Sequence, residues 1–181
     1  MTARGGKYLH VFIAKNLPYF IDIVHERVLI SKLAMPLVYE IPERNTPLID
    51  NEYLEQMTKA IFQAGFSWSV IRNKWHNFKK AFDEFDIGKV ADYGFKDLER
   101  LANDHNIVRN RQKIVATIEN ARLMKQLIKK HGSFKKYHDS LEGDYYTNAG
   151  ELTRQFKNLG RTGVFVFLYC VNEDVPSWEE R

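Results

Sequence analysis

Residues 111–130 contain neither glycine nor proline, and Ile114, Ile118, Ala121 and Leu127 recur there on one helical face. A stretch of that length with that period is a long amphipathic helix that must bury one side. It commits the chain to layers of packed helices. The rest of the sequence agrees. From Asp50, a candidate cap, Tyr53, Leu54, Met57, Ala60 and Ile61 follow the same spacing. Gly65 interrupts, and Ser67 is placed to cap a second helix carrying Val70, Ile71, Trp75 and Phe78. Short helices are expected from Asp86 and over 95–101. Gly132 suits a left-handed C-terminal position after the long helix. Residues 139–149 read as polar turns, 151–159 as a helix, 160–163 as a tight turn and 164–171 as a last apolar helix. Val164 to Tyr169 has strand propensity, but its place after a helix–Gly–x–x–Gly turn favours helix. Before all this, helix is expected after Pro18, and Pro36, Pro42 and Pro47 break any single helix across 36–50. The expected class is all-α, one compact domain over 1–181 with two helical lobes.

With 181 residues, the chain is long enough for one core. Its single cysteine, Cys170, excludes an intrachain disulfide and a thiolate metal cage, and reads as a buried thiol in a reducing compartment. No apolar run approaches the ~18 residues of a membrane span, and no signal-peptide core follows Met1. A soluble, cytoplasmic monomer is expected, with no membrane partner. A net charge of +4 permits a polyanion partner without naming one.

Specific motifs narrow the reading. Gln63-Ala64-Gly65-Phe66-Ser67-Trp68 resembles the Gln-Ala-Gly-Leu-Ser-Trp segment of the 3-methyladenine DNA glycosylase I family. Phe82 to Asp86 is similar to that family's Phe-x-x-Phe-Asp, and Lys89-Val90-Ala91 continues it. Ile107-Val108-Arg109-Asn110-Arg111-Gln112-Lys113-Ile114 resembles Ile-Val-Arg-Asn-Arg-x-Lys-Ile, and Asn120-Ala121 falls where the family has Asn-Ala. Residues 54–122 lie on the pattern without a gap, and residues 151–171 resemble its C-terminal hairpin segment.

The resemblance implies a helix-hairpin-helix DNA glycosylase fold and a monofunctional enzyme of base excision repair. Such an enzyme hydrolyses the N-glycosidic bond of alkylated bases such as 3-methyladenine in double-stranded DNA, and needs no cofactor. A damaged base must be unstacked and held. N3-methylated adenine is a cationic ring and a good leaving group, so recognition matters more than acid catalysis, and an aromatic face attracts it.

The resemblance puts Trp68 at the base-stacking position, with Ala60, Phe62 and Gln63 around it and Tyr19 and Tyr39 as candidate wall tyrosines. Packing alone is the competing account of each. Ala60 stands where the family has a base-reading glutamate, so the pocket is more apolar than the family's. Gly160, Arg161, Thr162 and Gly163 resemble the hairpin turn, whose amides meet a DNA phosphate. Arg109, Arg111 and Lys113 form a basic group before the long helix; the resemblance places this loop near the DNA as candidate DNA-binding residues, and a solvated charged face is the competing account. Bifunctional relatives carry a lysine where Thr162 stands, so no Schiff base is implied. Asp174 and Glu173 are the nearest carboxylates for stabilising the sugar cation. The zinc of other family members, held by two cysteines and two histidines, is not expected, because those ligands are missing. Two alternatives remain: a weakly active or inactive lesion-binding protein of the same fold, and a fold serving protein contacts only.

Overall fold

The computed structural model describes residues 41–180, and all regular structure among them is helical. In chain order these are α1 (Asp50–Gln63), α2 (Trp68–Ala81), α3 (Ile87–Ala91), α4 (Phe95–Asn103) and α5 (Arg111–His131). Then come α6 (Phe134–Asp139), α7 (Tyr145–Gln155) and α8 (Arg161–Cys170). Short 3-10 turns occupy Asp83–Phe85 and Trp178–Glu180. Tyr19, Tyr39 and the helix expected after Pro18 lie outside the described residues.

α5 is the spine, packed against α1, α3, α4 and α6. Both of its ends are closed by side chain or backbone. The Lys113 amide donates to Asn110 Oδ1 at 3.1 Å, and the Gly132 amide donates to the Ile128 carbonyl at 2.7 Å. Gly132 has φ 92°, the left-handed conformation expected of it. Lys129, Lys130 and His131 occupy the last turn, where positive charge suits the helix dipole.

α1 and α2 bury a stack of aromatic rings. Trp75 stacks on Phe78 at 5.2 Å and on Phe85 at 5.4 Å, Phe82 stacks on Phe85 at 5.5 Å, and Phe62 meets Phe78 edge-on at 4.7 Å. This explains the Phe-x-x-Phe-Asp motif. Asp83, Glu84 and Phe85 all take left-handed backbone, φ 51°, 55° and 57°. That conformation costs about 1–2 kcal/mol per L-residue. The turn swings both phenylalanines inward to complete burial, each contributing about 1.5–3 kcal/mol. Asp83 accepts from the Tyr93 hydroxyl at 2.5 Å, and Asp86 caps α3 through the Lys89 amide at 2.9 Å.

The structure departs from the sequence reading at several element edges. Asp50 lies inside the first turn of α1, and its carboxylate accepts the Phe134 amide at 2.8 Å instead of capping its own helix. Ser67 sits at the N-cap of α2 but pairs with the Ser69 hydroxyl at 2.7 Å. Val70 is exposed, not on the buried face. α6 falls outside every expected element; it is too short to show a period, and is fixed by the Ser133 cap and by the fully buried Phe134. α7 starts at Tyr145, within the stretch read as turns, because Asp144 caps it and a thin stripe of Ala149 and Leu152 is enough to bury it. α8 starts at Arg161, so Gly163 belongs to the helix and not to the turn before it. Its residues from Gly163 to Leu168 are all buried, as in a helix surrounded by protein, and strand propensity loses to that environment.

Candidate functional site

The corner between α1 and α2 is built by a turn and a clasp. Gly65 takes φ 78°, which lets the chain reverse directly after α1. Lys113, at the start of α5, reaches across and donates its ammonium to the carbonyls of Phe62, at 3.4 Å, and Ala64. These are carbonyls at the C-terminal end of α1, where a cation is favoured. The same ammonium lies 5.0 Å from the Phe66 ring centre, and burial pushes its pKa down. Lys113, grouped with Arg109 and Arg111 as a candidate phosphate ligand, therefore holds the loop in this structure. The loop presents Phe66 to solvent, 39% exposed. Phe66 was not singled out from sequence; an apolar residue between glycine and serine was the available signal.

Trp68 follows, half-buried, with its ring edge-on to Trp178 at 6.0 Å and 84°. Trp178 in turn packs on Phe165 and Tyr169 of α8 at 5.5 and 4.9 Å. The tryptophan at the corner is thus braced by the C-terminal segment. Of its expected neighbours, Ala60 and Gln63 are buried one helical turn apart on α1. Phe62 is fully buried among core rings.

The hairpin between α7 and α8 is held by Asn120. Its amide group donates to the Lys157 carbonyl at 3.0 Å and accepts the Lys157 amide at 2.7 Å. A 1% exposed asparagine on the buried face of an amphipathic helix needs such partners, and this one fixes the turn to the spine. Gly160 then caps α8 with no side chain, and a Cβ there would meet open space. The first-turn amides of α8 lack intrahelical acceptors, and Arg161 and Thr162 beside them are exposed. Arg109 is exposed, whereas Arg111 is paired with Glu99 at 2.5 Å.

The two candidate carboxylates differ. Asp174 is exposed. Glu173 is half-buried and engaged by Lys135 at 3.5 Å and His138 at 3.6 Å. His138, Asp139 and Glu173 bring their ligand atoms within 4.8 Å of one another. They include no cysteine, and Lys135 already bridges Asp139 and Glu173. This group does not fit a cysteine–histidine zinc centre. Cys170 is buried, and desolvation pushes its thiol up to about 11, Lys59 opposing, so it is not a thiolate nucleophile.

The same cluster sets a pH dependence. Burial holds the His138 pKa below its ordinary 6.5, with Glu173 opposing, Lys135 adding to the fall and Asp139 opposing. The unfolded chain therefore takes up this proton first as pH falls. The associated stability is present above about pH 6.5 and is lost on acidification through the lower folded-state value. We expect the melting temperature to fall between about pH 7 and pH 5, and His138→Leu to shrink that fall. An unchanged pH slope in the variant would assign the acid sensitivity elsewhere.

The matches to known proteins bear on this geometry. A model of the methyladenine glycosylase family matches residues 44–168. The chain belongs to the methyladenine glycosylase family. It is 36% identical over 99 residues to DNA-3-methyladenine glycosylase 1 of Escherichia coli, covering 54% of this chain and 53% of that protein. It is 29% identical over 85 residues to the DNA-3-methyladenine glycosylase of Haemophilus influenzae, covering 46% of each. The chain thus spans about half the length of the curated relatives it matches. The solved structure of 3-methyladenine DNA glycosylase I from Staphylococcus aureus superposes with a TM-score of 0.61 at 26% identity, covering 70% of this chain and 78% of that one. The matched region takes in the α1–α2 corner, the left-handed turn, the clasp by Lys113 and the Asn120 anchor. The methyladenine glycosylase motifs in this chain are therefore largely instructions for holding two loops and one hairpin in place.

Proposed function

We propose that the chain is a monofunctional DNA glycosylase that hydrolyses the N-glycosidic bond of alkylated bases such as 3-methyladenine in double-stranded DNA. The observation that carries this is family membership over 44–168 with Trp68 retained and braced at the α1–α2 corner. In this reading the duplex lies along the α7–α8 hairpin, with phosphates at the first-turn amides of α8 and at Arg161 and Arg109. The damaged nucleotide is everted towards Trp68. The cationic base leaves with the bonding electrons, water adds to the sugar carbon, and its proton is lost to solvent. Thr162 offers no amine, so the abasic site stays intact. Asp174 is the carboxylate left for stabilising the sugar cation. The buried, unreactive Cys170 suits a reducing cytoplasm, and the chain is proposed to act there as a monomer.

A second reading, a lesion-binding protein with weak or no activity, is favoured by Ala60. A carboxylate bonded to the cationic base contributes about 1.5–3 kcal/mol, and alanine supplies none of it. Release of free bases from alkylated DNA, resolved by chromatography, separates the two readings. We expect 3-methyladenine release, with duplex affinity falling steeply as salt rises. Folded, DNA-bound protein that releases no base selects the second reading; no salt-dependent binding removes both. We further expect Ala60→Glu to raise release of the cationic base by about tenfold, the lower end of the charge-assisted range. The gain is reduced by the desolvation of a carboxylate at a 3% exposed position. No gain in a folded variant would show that position 60 does not face the base.

A further inference from the structure

α7, the start of α8 and the C-terminal segment line a partly open cavity of about 290 Å3, bordered in part by Tyr145, Tyr146, Arg161, Phe165, Pro176 and Glu180. It is not the Trp68 corner: the rings of Trp178 and Phe165 stand in successive contact between Trp68 and Tyr145. Three kinds of chemistry meet in it. Tyr145 and Tyr146 hold their rings 5.2 Å apart at 76°, a corner for a planar ring, and Tyr145 is backed by Phe165 at 6.3 Å. Tyr146 is 64% exposed, far more than a core residue of its size. Next, Arg161 lines the cavity at the point where α8 begins without a side-chain cap. Tyr145 and Arg161 line the same cavity, and burial and Tyr146 raise the Tyr145 hydroxyl pKa while Arg161 pulls it back. Lastly, Glu180 accepts the Ser177 amide at 3.1 Å through one oxygen, which fixes a carboxylate on the wall. Beside these groups, a Cβ built on Gly150 meets nothing within 4 Å.

A planar ring, an anion and an N–H donor edge occur together in a nucleotide. We propose that this cavity binds one nucleotide, with its base against Tyr146, its phosphate on Arg161 and the first-turn amides of α8, and an amino or imino edge on Glu180. The favoured source is an unpaired nucleotide of the DNA strand whose backbone follows the hairpin; that source rests on the glycosylase reading. The cavity is near the small end of ligand sites, roughly 300 Å3, which suits one nucleotide and not a longer segment.

The test compares binding of a blunt duplex with the same duplex bearing a short oligothymidylate extension. Stacking of one base on an aromatic side chain predicts about tenfold tighter binding of the extended duplex. Tyr146→Ala should remove that advantage while leaving blunt-duplex affinity and base release unchanged, and Tyr146→Phe should keep it. Gly150→Leu fills the open space on a helix that tolerates leucine, and should also remove it. Equal affinity for both duplexes in the parent protein overturns the proposal and leaves the glycosylase reading standing. Equal loss of blunt and extended binding in Tyr146→Ala overturns it too. Titration with deoxyadenosine monophosphate alone distinguishes the sources. Binding that Tyr146→Ala abolishes, in a protein that binds no DNA, would keep the site and overturn the strand as its source. No binding of either DNA or nucleotide overturns both the site and the glycosylase reading.

Discussion

Trp68→Ala is expected to release 3-methyladenine roughly 5- to 150-fold more slowly than the parent protein, because stacking of a base on an aromatic ring contributes about 1–3 kcal/mol. The ring is half-buried and touches Trp178 edge-on, so its removal leaves the aromatic core among Phe62, Phe78, Phe82 and Phe85 intact. The melting temperature should therefore drop by only a few degrees, on the order of 1 kcal/mol of lost packing. Affinity for undamaged duplex should hold, since the hairpin amides and Arg161 do not depend on Trp68. Trp68→Phe should recover most of the rate. The decisive comparison is single-turnover base release beside duplex affinity. A variant as fast as the parent would show that the damaged base does not stack on Trp68, and one that loses both release and affinity would make Trp68 a structural residue.

Phe78→Ala is expected to destabilise the fold by about 3–5 kcal/mol. The side chain is fully buried, edge-on to Phe62 at 4.7 Å and stacked on Trp75 at 5.2 Å. It joins α1 to α2, so the void cannot close without moving one helix against the other. The corresponding fall in melting temperature is roughly 10 °C or more for a chain of this size. Phe95, 73% exposed, is the matched control. Phe95→Ala should change stability by less than about 0.5 kcal/mol. Equal losses in the two variants, measured by urea unfolding, would mean that the stacked rings are not the centre of the core.

Much of this was legible in the residues. The period across 111–130 and Gly132 at its end specify α5 and its termination, because a long helix is set by local hydrogen bonding and one repeating stripe. The register of 54–122 against the family pattern locates Trp68 and exposes the alanine at position 60. Short elements were not legible. The length of α6 hides any period, and the start of α7 is set by the Asp144 cap inside a polar run. The partners of long charged side chains were also out of reach. Sequence groups Lys113 with Arg109 and Arg111, yet only the fold brings its ammonium onto carbonyls about 50 positions away, Phe62 and Ala64. Glu173 likewise reads as a free acid until the fold sets Lys135 and His138 against it.

By itself, then, the sequence determined the helical class, the family and the identity of the residue at each motif position, since these depend on local period and on residue type. Tertiary structure alone decided what the motifs do. It turned Phe82 and Phe85 inward through a left-handed turn, made Asn120 the anchor of the hairpin, and set Tyr145, Tyr146 and Arg161 around one cavity. Those assignments depend on contacts between residues far apart along the chain, which no local pattern encodes.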